Sequence, residues 1–210
     1  MVLFLQAGIA PCGGALVASK YVVTAAHCLY FDVDSNIPKV PSDINITLGE
    51  HDLSIKGEGT LNEKTFSVAK IFRHEKYNSH TMENDIAVLE LSEDVDLETY
   101  TPVCMAKTSD SKSFYGKWIY ENGWKFDEKH AKTYGWGTTT FGGKKSNILR
   151  TVTLPVVGPS NSKCQKSMSI NQSGNHPGKL CAGGLGKDAC QVTVKTKDGL
   201  SYNSYFMYSG

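Results

Sequence analysis

The stretch Ala15-Leu16-Val17-Ala18-Ser19-Lys20-Tyr21-Val22-Val23-Thr24 contains two short runs of residues that favour β-strands, separated by a turn. It predicts a β-hairpin. Similar short runs recur along the chain, and apolar and polar residues alternate in Asp43–Leu48 and Thr151–Val157. Ile86–Leu91 is almost continuously apolar, which is typical of a strand buried on both faces. No long window has a helical period, so the sequence predicts an all-β fold.

The composition excludes several classes of protein. The chain has 210 residues, 40% of them hydrophobic, with 22 basic residues against 21 acidic ones. This length suits one large β domain or two small ones. A net charge of +1 offers no basic surface for nucleic acid, and no apolar run approaches the roughly 18 residues of a membrane-spanning helix. We therefore expect no nucleic-acid partner and no membrane insertion.

Six cysteines are spread singly along the chain, and none forms a Cys-x-x-Cys pair. Because zinc-type spacing is missing, a structural metal is not expected. Dispersed cysteines instead indicate disulfides and an extracellular, oxidising compartment. The sequons at Asn45 and Asn171 agree with secretion, although so short a motif also arises by chance. The first residues lack the pattern of a signal peptide, so we expect a fragment or a mature chain with an added Met.

Two short motifs carry candidate catalytic residues. Thr24-Ala25-Ala26-His27-Cys28 follows the predicted hairpin, and Asp85 leads directly into the apolar run 86–91. Alone, His27 would be interpreted as a structural histidine and Asp85 as a turn or strand-capping residue. A carboxylate entering a buried strand must be hydrogen-bonded or lose its charge. Together the two motifs suggest a histidine oriented by a buried carboxylate, which is part of a nucleophilic triad.

These motifs, with others later in the chain, resemble the trypsin-like serine proteases of the chymotrypsin fold. The segments that carry the resemblance are Cys12-Gly13-Gly14-Ala15-Leu16, Val23-Thr24-Ala25-Ala26-His27-Cys28, Asn84-Asp85-Ile86-Ala87-Val88-Leu89, Gly135-Trp136-Gly137, Leu180-Cys181-Ala182-Gly183-Gly184 and Asp188-Ala189-Cys190-Gln191. The resemblance implies a single monomeric protease domain of two antiparallel six-stranded Greek-key β-barrels. Residues 1–110 would form the first barrel, 111–130 an insertion or linker, and 131–210 a second, incomplete barrel.

The resemblance also implies roles for individual residues. His27 would be the general base, and Asp85 the carboxylate that sets its tautomer. Asp188 would lie at the floor of the specificity pocket and attract Arg or Lys side chains of a protein or peptide substrate. Taken alone, Asp188 would be interpreted as a solvated loop residue, but its place two residues before Cys190 favours the pocket role.

The cysteines can be paired by the same resemblance. It implies two disulfides, Cys12–Cys28 and Cys164–Cys181. Cys104 resembles the cysteine that pairs with an upstream pro-segment, and Cys190 one that pairs with a residue beyond Gly210. The even number of cysteines then leaves two of them without a partner inside the chain.

The largest departure from the family concerns the nucleophile. After Cys190-Gln191 the family continues Gly-Asp-Ser-Gly-Gly-Pro, whereas here Val192 follows directly and begins a strand-like run. The missing residues supply the attacking serine and the oxyanion hole. Ser201, Ser204 and Ser209 are poor substitutes because none lies in a glycine-flanked turn. We therefore expect a trypsin-like endopeptidase specific for Arg and Lys in an inactive form; the alternative is a pseudoprotease that acts as a binding protein.

Other departures support an incomplete or aberrant form. From the resemblance we expect that the family's free amino terminus, last strand and terminal helix are missing from the chain, and that Trp118–His130 is an insertion. This insertion is interpreted as a partner-binding surface, an irregular loop or translated non-coding sequence. One faulty gene model or transcript would explain all of these features.

No cofactor is expected. A Ca²⁺ site in the loop of Glu50 and Asp52, completed by Glu58 or Glu63, is the alternative to a solvated acidic loop.

Overall fold

The computed structural model divides the chain into two compact units, Met1–Met105 and Ala106–Gly210. It describes residues 3–6, 12–31, 37–55, 63–105, 130–138, 144–157, 181–182, 191–195 and 201–205. Among these residues no helix is both long enough and apolar enough to cross a lipid bilayer. The regular elements described are β-strands and short 3-10 turns, which confirms the all-β prediction.

Six antiparallel strands of the first unit close into a barrel. The strands are β1 (Leu3–Gln6), β2 (Cys12–Ala18), β3 (Tyr21–Thr24), β4 (Asn45–Leu48), β5 (Lys64–Arg73) and β6 (Ala87–Leu91). Their order around the barrel is β1-β2-β3-β6-β5-β4. The hairpin predicted around the Ala18-Ser19-Lys20 turn is β2–β3, although β2 includes Ala18. Its register shifts between Leu16 and Ala18. β3 pairs with β6, and not with β4, which follows it in the chain. This connection gives a Greek-key arrangement.

In a β-strand every second side chain points to the same face, and this two-residue repeat is visible in the core of the barrel. Ile44, Ile46 and Leu48 are at most 1% exposed, as the alternation in this segment predicts. The expectation that residues 86–91 are buried on both faces is wrong. Ile86 is 47% exposed, and β6 alternates between buried and partly exposed positions. Its outer face lies towards solvent because an antiparallel barrel needs only its inner face to be apolar.

The second unit contains two smaller antiparallel sheets among its described residues. β7 (His130–Gly135), β8 (Arg150–Val157) and β9 (Cys181–Ala182) form one, and β10 (Gln191–Lys195) pairs with β11 (Ser201–Tyr205) in the other. Val152 and Leu154 of β8 are buried, in agreement with the alternation predicted there. The fold class is that of two β-barrels with the second one incomplete.

Several sequence predictions fall at or beyond the edge of the described residues. The segment 111–129 lies outside them, so the interpretation of residues 118–130 as an insertion stays a prediction. Its last residue, His130, begins β7 and pairs with Pro155.

Candidate active site

His27 is presented by a short turn that continues directly from the barrel. β3 ends at Thr24, Ala25 stays extended, and Ala26–Leu29 form a 3-10 turn. The backbone N–H of Cys28 donates to the carbonyl of Ala25 at 3.3 Å. The Thr24 hydroxyl donates to the carbonyl of Gly13 on β2 at 2.9 Å, which fixes the end of the strand just before the turn.

Asp85 is positioned by a loop with an unusual backbone conformation. Asn84, the residue before it, has φ of 55°, in the left-handed region that Asn tolerates better than most residues. The Asn84 side-chain amide donates to the carbonyl of Lys76 at 2.8 Å, and the Ile86 N–H donates back to the Asn84 carbonyl at 2.8 Å. Asp85 is therefore held at a sharp corner immediately before β6.

Barrel closure brings the two residues together. Thr24 at the end of β3 pairs with Ala87 at the start of β6, so the turn after β3 meets the loop before β6. Nδ1 of His27 lies 2.8 Å from Oδ2 of Asp85, and the backbone N–H of His27 donates to Oδ1 at 2.8 Å. The side chains are only 15% and 19% exposed. The hydrogen bonds required of a carboxylate entering a buried strand are thus present.

This geometry determines what the imidazole can do. A carboxylate accepts a hydrogen bond from Nδ1–H, so the neutral ring has its proton on Nδ1 and a lone pair on Nε2. An imidazole in this tautomer can accept a proton at Nε2, and the carboxylate stabilises the imidazolium that results. The arrangement of His27 and Asp85 is therefore one that can serve as a base and its orienting group.

A disulfide braces the histidine turn. Cys12, the first residue of β2, is bonded to Cys28, with a Cα–Cα distance of 6.0 Å. Cys28 Sγ lies 3.5 Å from Nε2 of His27. The bond ties the turn to the neighbouring strand β2, close to the ring nitrogen that Asp85 does not contact. Cys104 is a free, exposed thiol.

A buried lysine and an arginine donate hydrogen bonds to carbonyl groups of the same turn. Neither residue was predicted from the sequence. Lys39 is only 5% exposed, and its Nζ donates to the carbonyl of Cys28 at 3.1 Å. Nη2 of Arg73 donates to the carbonyls of Leu29 and Lys39. Burial lowers the pKa of Lys39, against an opposing effect from Asp43. Lysines are normally exposed, so no pattern in the sequence marked Lys39.

A sequence model of the family described as Trypsin matches residues 2–192. The chain belongs to the trypsin family. Proclotting enzyme of Tachypleus tridentatus is 33% identical over 186 residues, which cover 86% of this chain and 44% of that relative. Trypsin-1 of Astacus astacus is 31% identical over 183 residues, covering 86% and 66% of the two chains. Trypsin of Phaedon cochleariae is 34% identical over 182 residues, covering 85% and 60%. The chain therefore spans less than two thirds of each relative.

The remaining predicted site residues of this trypsin-family chain stay predictions. Asp188, Cys164 and Cys190 lie outside the described residues. Cys181 begins β9, and the predicted Cys164–Cys181 bond stays untested.

The loop proposed for Ca²⁺ is described only in part, because Glu58 lies outside the described residues. Asp52 accepts hydrogen bonds from the Ser54 hydroxyl at 2.6 Å and the Ser54 N–H at 2.9 Å. These bonds lower the pKa of the Asp52 carboxyl. Oε1 of Glu50 accepts from the N–H of His51 at 3.0 Å. A calcium ion at this loop stays a prediction.

Proposed function

We propose that this chain is a trypsin-like protease domain that retains the general base, His27, and its orienting carboxylate, Asp85, but does not cleave peptides in the form given by its sequence. The observation that carries the first half of this proposal is the pair of 2.8 Å contacts between His27 and Asp85. Two bonds to one carboxylate fix both the ring and the backbone of the histidine, which is what a general base requires.

In a complete enzyme of this type the reaction is acyl transfer. The base takes the proton of a serine hydroxyl as its oxygen attacks the scissile carbonyl, and backbone N–H groups stabilise the tetrahedral oxyanion. The imidazolium then protonates the leaving amine, and water hydrolyses the acyl-enzyme. Here His27 would transfer the proton and Asp85 would orient the imidazole, whereas the nucleophile and the oxyanion donors would be missing.

The sequence after Cys190 supports the second half of the proposal. No serine lies in Asp188-Ala189-Cys190-Gln191-Val192-Thr193-Val194-Lys195, and β10 already begins at Gln191. Ser201 and Ser204 lie within β11, where they pair with Lys195 and Val192. Loss of the nucleophile alone costs about 10⁶-fold in kcat in a related mechanism. A strand in place of the nucleophile turn also removes the oxyanion donors.

Substrate class and setting belong to the proposal as well. Asp188 would attract an Arg or Lys side chain of a protein substrate, because a buried carboxylate gains from a charged partner. A disulfide in the His27 turn is in keeping with an extracellular location. We propose one monomeric protease domain, with residues 1–110 and 131–210 as its two barrels and no metal cofactor.

A non-catalytic binding protein is the second candidate. It is favoured by the closed first barrel, whose core includes Leu16, Phe66 and Leu89 at no more than 1% exposure. Such a scaffold does not depend on a nucleophile for its stability and could present loops to a partner.

A fluorophosphonate probe tests the proposal, because it reacts with activated serines. The expressed full chain should show no specific labelling. Specific labelling that disappears in His27→Ala would overturn the inactivity claim, and heat-denatured chain measures the non-specific background. Sequencing the full-length transcript separates the two candidates. A nearby exon with the missing motif favours the incomplete protease, and an uninterrupted reading frame through Gln191-Val192 without such an exon favours the binding protein.

A further inference from the structure

The sequon Asn45-Ile46-Thr47 has no part in the proposed protease chemistry. A motif of this kind, with a residue other than proline in the middle, is the acceptor of N-linked glycans in secreted proteins. Asn171 of the second sequon lies outside the described residues, whereas Asn45 and its neighbours on β4 and β5 are described. The surroundings of the Asn45 side chain decide whether the folded barrel can carry a glycan there.

Asn45 lies on the outer surface of the first barrel. It is the first residue of β4 and is exposed, whereas Ile44 and Ile46 on either side of it are at most 1% exposed. Since successive side chains of a strand point to opposite faces, a shift of one residue would turn Asn45 into the core. The register of β4 on β5, in which Asn45 pairs with Ser67, holds it on the outer face.

Small hydroxyl side chains lie next to Asn45 on this outer face. On β5, Ser67 is opposite Asn45 and Thr65 is opposite Thr47. Both Ser67 and Thr65 are exposed. Small polar side chains leave space for a bulky sugar, and their hydroxyls can donate hydrogen bonds to it. This part of the barrel surface therefore suits an attached N-acetylglucosamine.

We propose that Asn45 carries an N-linked glycan. The co-reactant is an oligosaccharide linked to a lipid diphosphate, and its transfer is catalysed by an oligosaccharyltransferase. The side-chain amide nitrogen of Asn45 forms a bond to C1 of the first N-acetylglucosamine, and the bond from C1 to the phosphate oxygen breaks. The lipid diphosphate leaves, and the amide nitrogen gives one proton to a base of the transferase. The proposal rests on the extracellular setting proposed above, because this reaction belongs to the secretory pathway.

The glycan must be attached before β4 pairs with β5. The threonine of a sequon is part of what defines the acceptor, and Thr47 is only 7% exposed in the folded barrel. Its Oγ1 lies 3.1 Å from Oγ1 of Thr65. A transferase can therefore bind Thr47 only while the chain is unpaired. Folding then hides Thr47 but leaves Asn45, the modified residue, exposed.

The attachment point lies on the wall of the barrel opposite to the strand that leads into the His27 turn. In the closed order β1-β2-β3-β6-β5-β4, two strands separate β4 from β3 in either direction. Asn45 also makes no printed contact with the candidate active site, which is built from the turn after β3 and the loop before β6. Variants of the sequon can therefore be compared without changing that site.

Expression of the full chain in secreting eukaryotic cells tests the site. The chain follows a cleavable leader and carries a tag with its own sequon, so that glycosylation of the tag shows entry into the secretory pathway for every variant. Lysate and medium are both analysed. Peptide N-glycosidase in H₂¹⁸O leaves an ¹⁸O-labelled aspartate at each glycosylated position, which peptide mass spectrometry locates.

Matched variants separate the sequon from the strand that contains it. We expect the label at position 45 in the parent and in Thr47→Ser, which keeps the hydroxyl. It should be lost in Thr47→Val, which keeps the shape of the side chain but not the hydroxyl. Asn45→Gln should carry one glycan fewer than the parent, and Asn171→Gln should keep the label at position 45.

A purified oligosaccharyltransferase with lipid-linked oligosaccharide tests the order of events. Non-glycosylated chain is offered either folded, with its disulfide intact, or unfolded and reduced. The unfolded chain should be modified at position 45 and the folded chain should not. Equal modification of the two forms would overturn the conclusion that pairing of β4 with β5 hides Thr47.

Two results from the cells would overturn the proposal itself. One is a parent chain without the label at position 45 although its tag is glycosylated. The other is a label that persists in Thr47→Val, because it would not depend on the sequon. Failure of the chain to leave the cell without an added leader would count against the extracellular setting alone. Labelling by a fluorophosphonate probe would count against the proposed inactivity alone.

Discussion

The carboxylate of Asp85 holds His27 at two points, its ring Nδ1 and its own backbone N–H, each at 2.8 Å. The two residues are 58 positions apart in the chain. A carboxylate that binds both the side chain and the main chain of one histidine removes the rotation of the ring and fixes the turn that carries it. This relationship is the basis of the first two predictions.

Asp85→Asn should change the tautomer of His27. The carboxamide can still accept the backbone N–H through its oxygen, but it then presents an NH₂ group to Nδ1. The proton of the neutral ring therefore moves to Nε2. Long-range ¹H–¹⁵N correlation of the imidazole should show protonated Nδ1 in the parent and protonated Nε2 in the variant. Loss of charge-assisted hydrogen bonds should also lower the free energy of unfolding by about 1.5–3 kcal/mol. An unchanged tautomer in Asp85→Asn would contradict the hydrogen bond that we assign from Nδ1–H of His27 to the Asp85 carboxylate.

The backbone conformation of Asn84 should affect the stability of the loop that positions Asp85. Its φ of 55° costs a residue with a Cβ about 1–2 kcal/mol, and glycine avoids this cost. Asn84→Ala and Asn84→Gly both lose the bond to the Lys76 carbonyl, so their difference isolates the conformational effect. We expect Asn84→Ala to be less stable than Asn84→Gly by about 1 kcal/mol in urea unfolding. Equal stability of the two variants would show that the corner before Asp85 relaxes.

Lys39 should make stability depend on pH in the alkaline range. Burial lowers its pKa in the folded state below 10.5. The unfolded chain therefore binds more protons between the two pKa values, and the free energy of unfolding rises with pH across this window. The burial penalty is fully present below the folded pKa and is gone above 10.5.

Lys39→Met should abolish this contribution, because methionine does not titrate. The stability of the parent minus that of the variant should increase as pH rises through the window, measured by denaturant unfolding at several pH values. Lys70→Met serves as the control for the change in net charge, since the Lys70 side chain is 64% exposed. A difference that stays flat with pH would contradict the prediction.

Leu89, an inward-facing residue of β6, should contribute much more to stability than Ile86, the residue just before β6. Leu89 is fully buried, whereas Ile86 is 47% exposed. Leu89→Ala removes buried methyl groups and leaves a cavity, so it should cost about 2–5 kcal/mol. Ile86→Ala deletes a side chain of the same size and should cost less than half as much. Similar losses in the two variants would show that Ile86 is covered in solution.

Part of the first barrel was predictable from local sequence, and the resemblance of their motifs to the family selected His27 and Asp85 as a candidate catalytic pair. The β2–β3 hairpin, the inward alternation of Ile44, Ile46 and Leu48, and the buried residues of β8 follow from short-range periodicity. The prediction for Ile86–Leu91 failed because an apolar run does not say how many of its faces are covered. That depends on the neighbouring strands and on what packs outside them.

The sequence by itself determined the all-β class, the resemblance to the trypsin family and the choice of His27 and Asp85 as candidate residues, since these rest on short-range alternation and on motifs in their order along the chain. Only the tertiary structure decided that the two residues meet, because pairing of β3 with β6 depends on closure of the whole barrel. It also decided that Lys39 is buried beneath the histidine turn. A lysine carries no signal of burial, and its place there results from its bond to the Cys28 carbonyl and the packing of the chain around it.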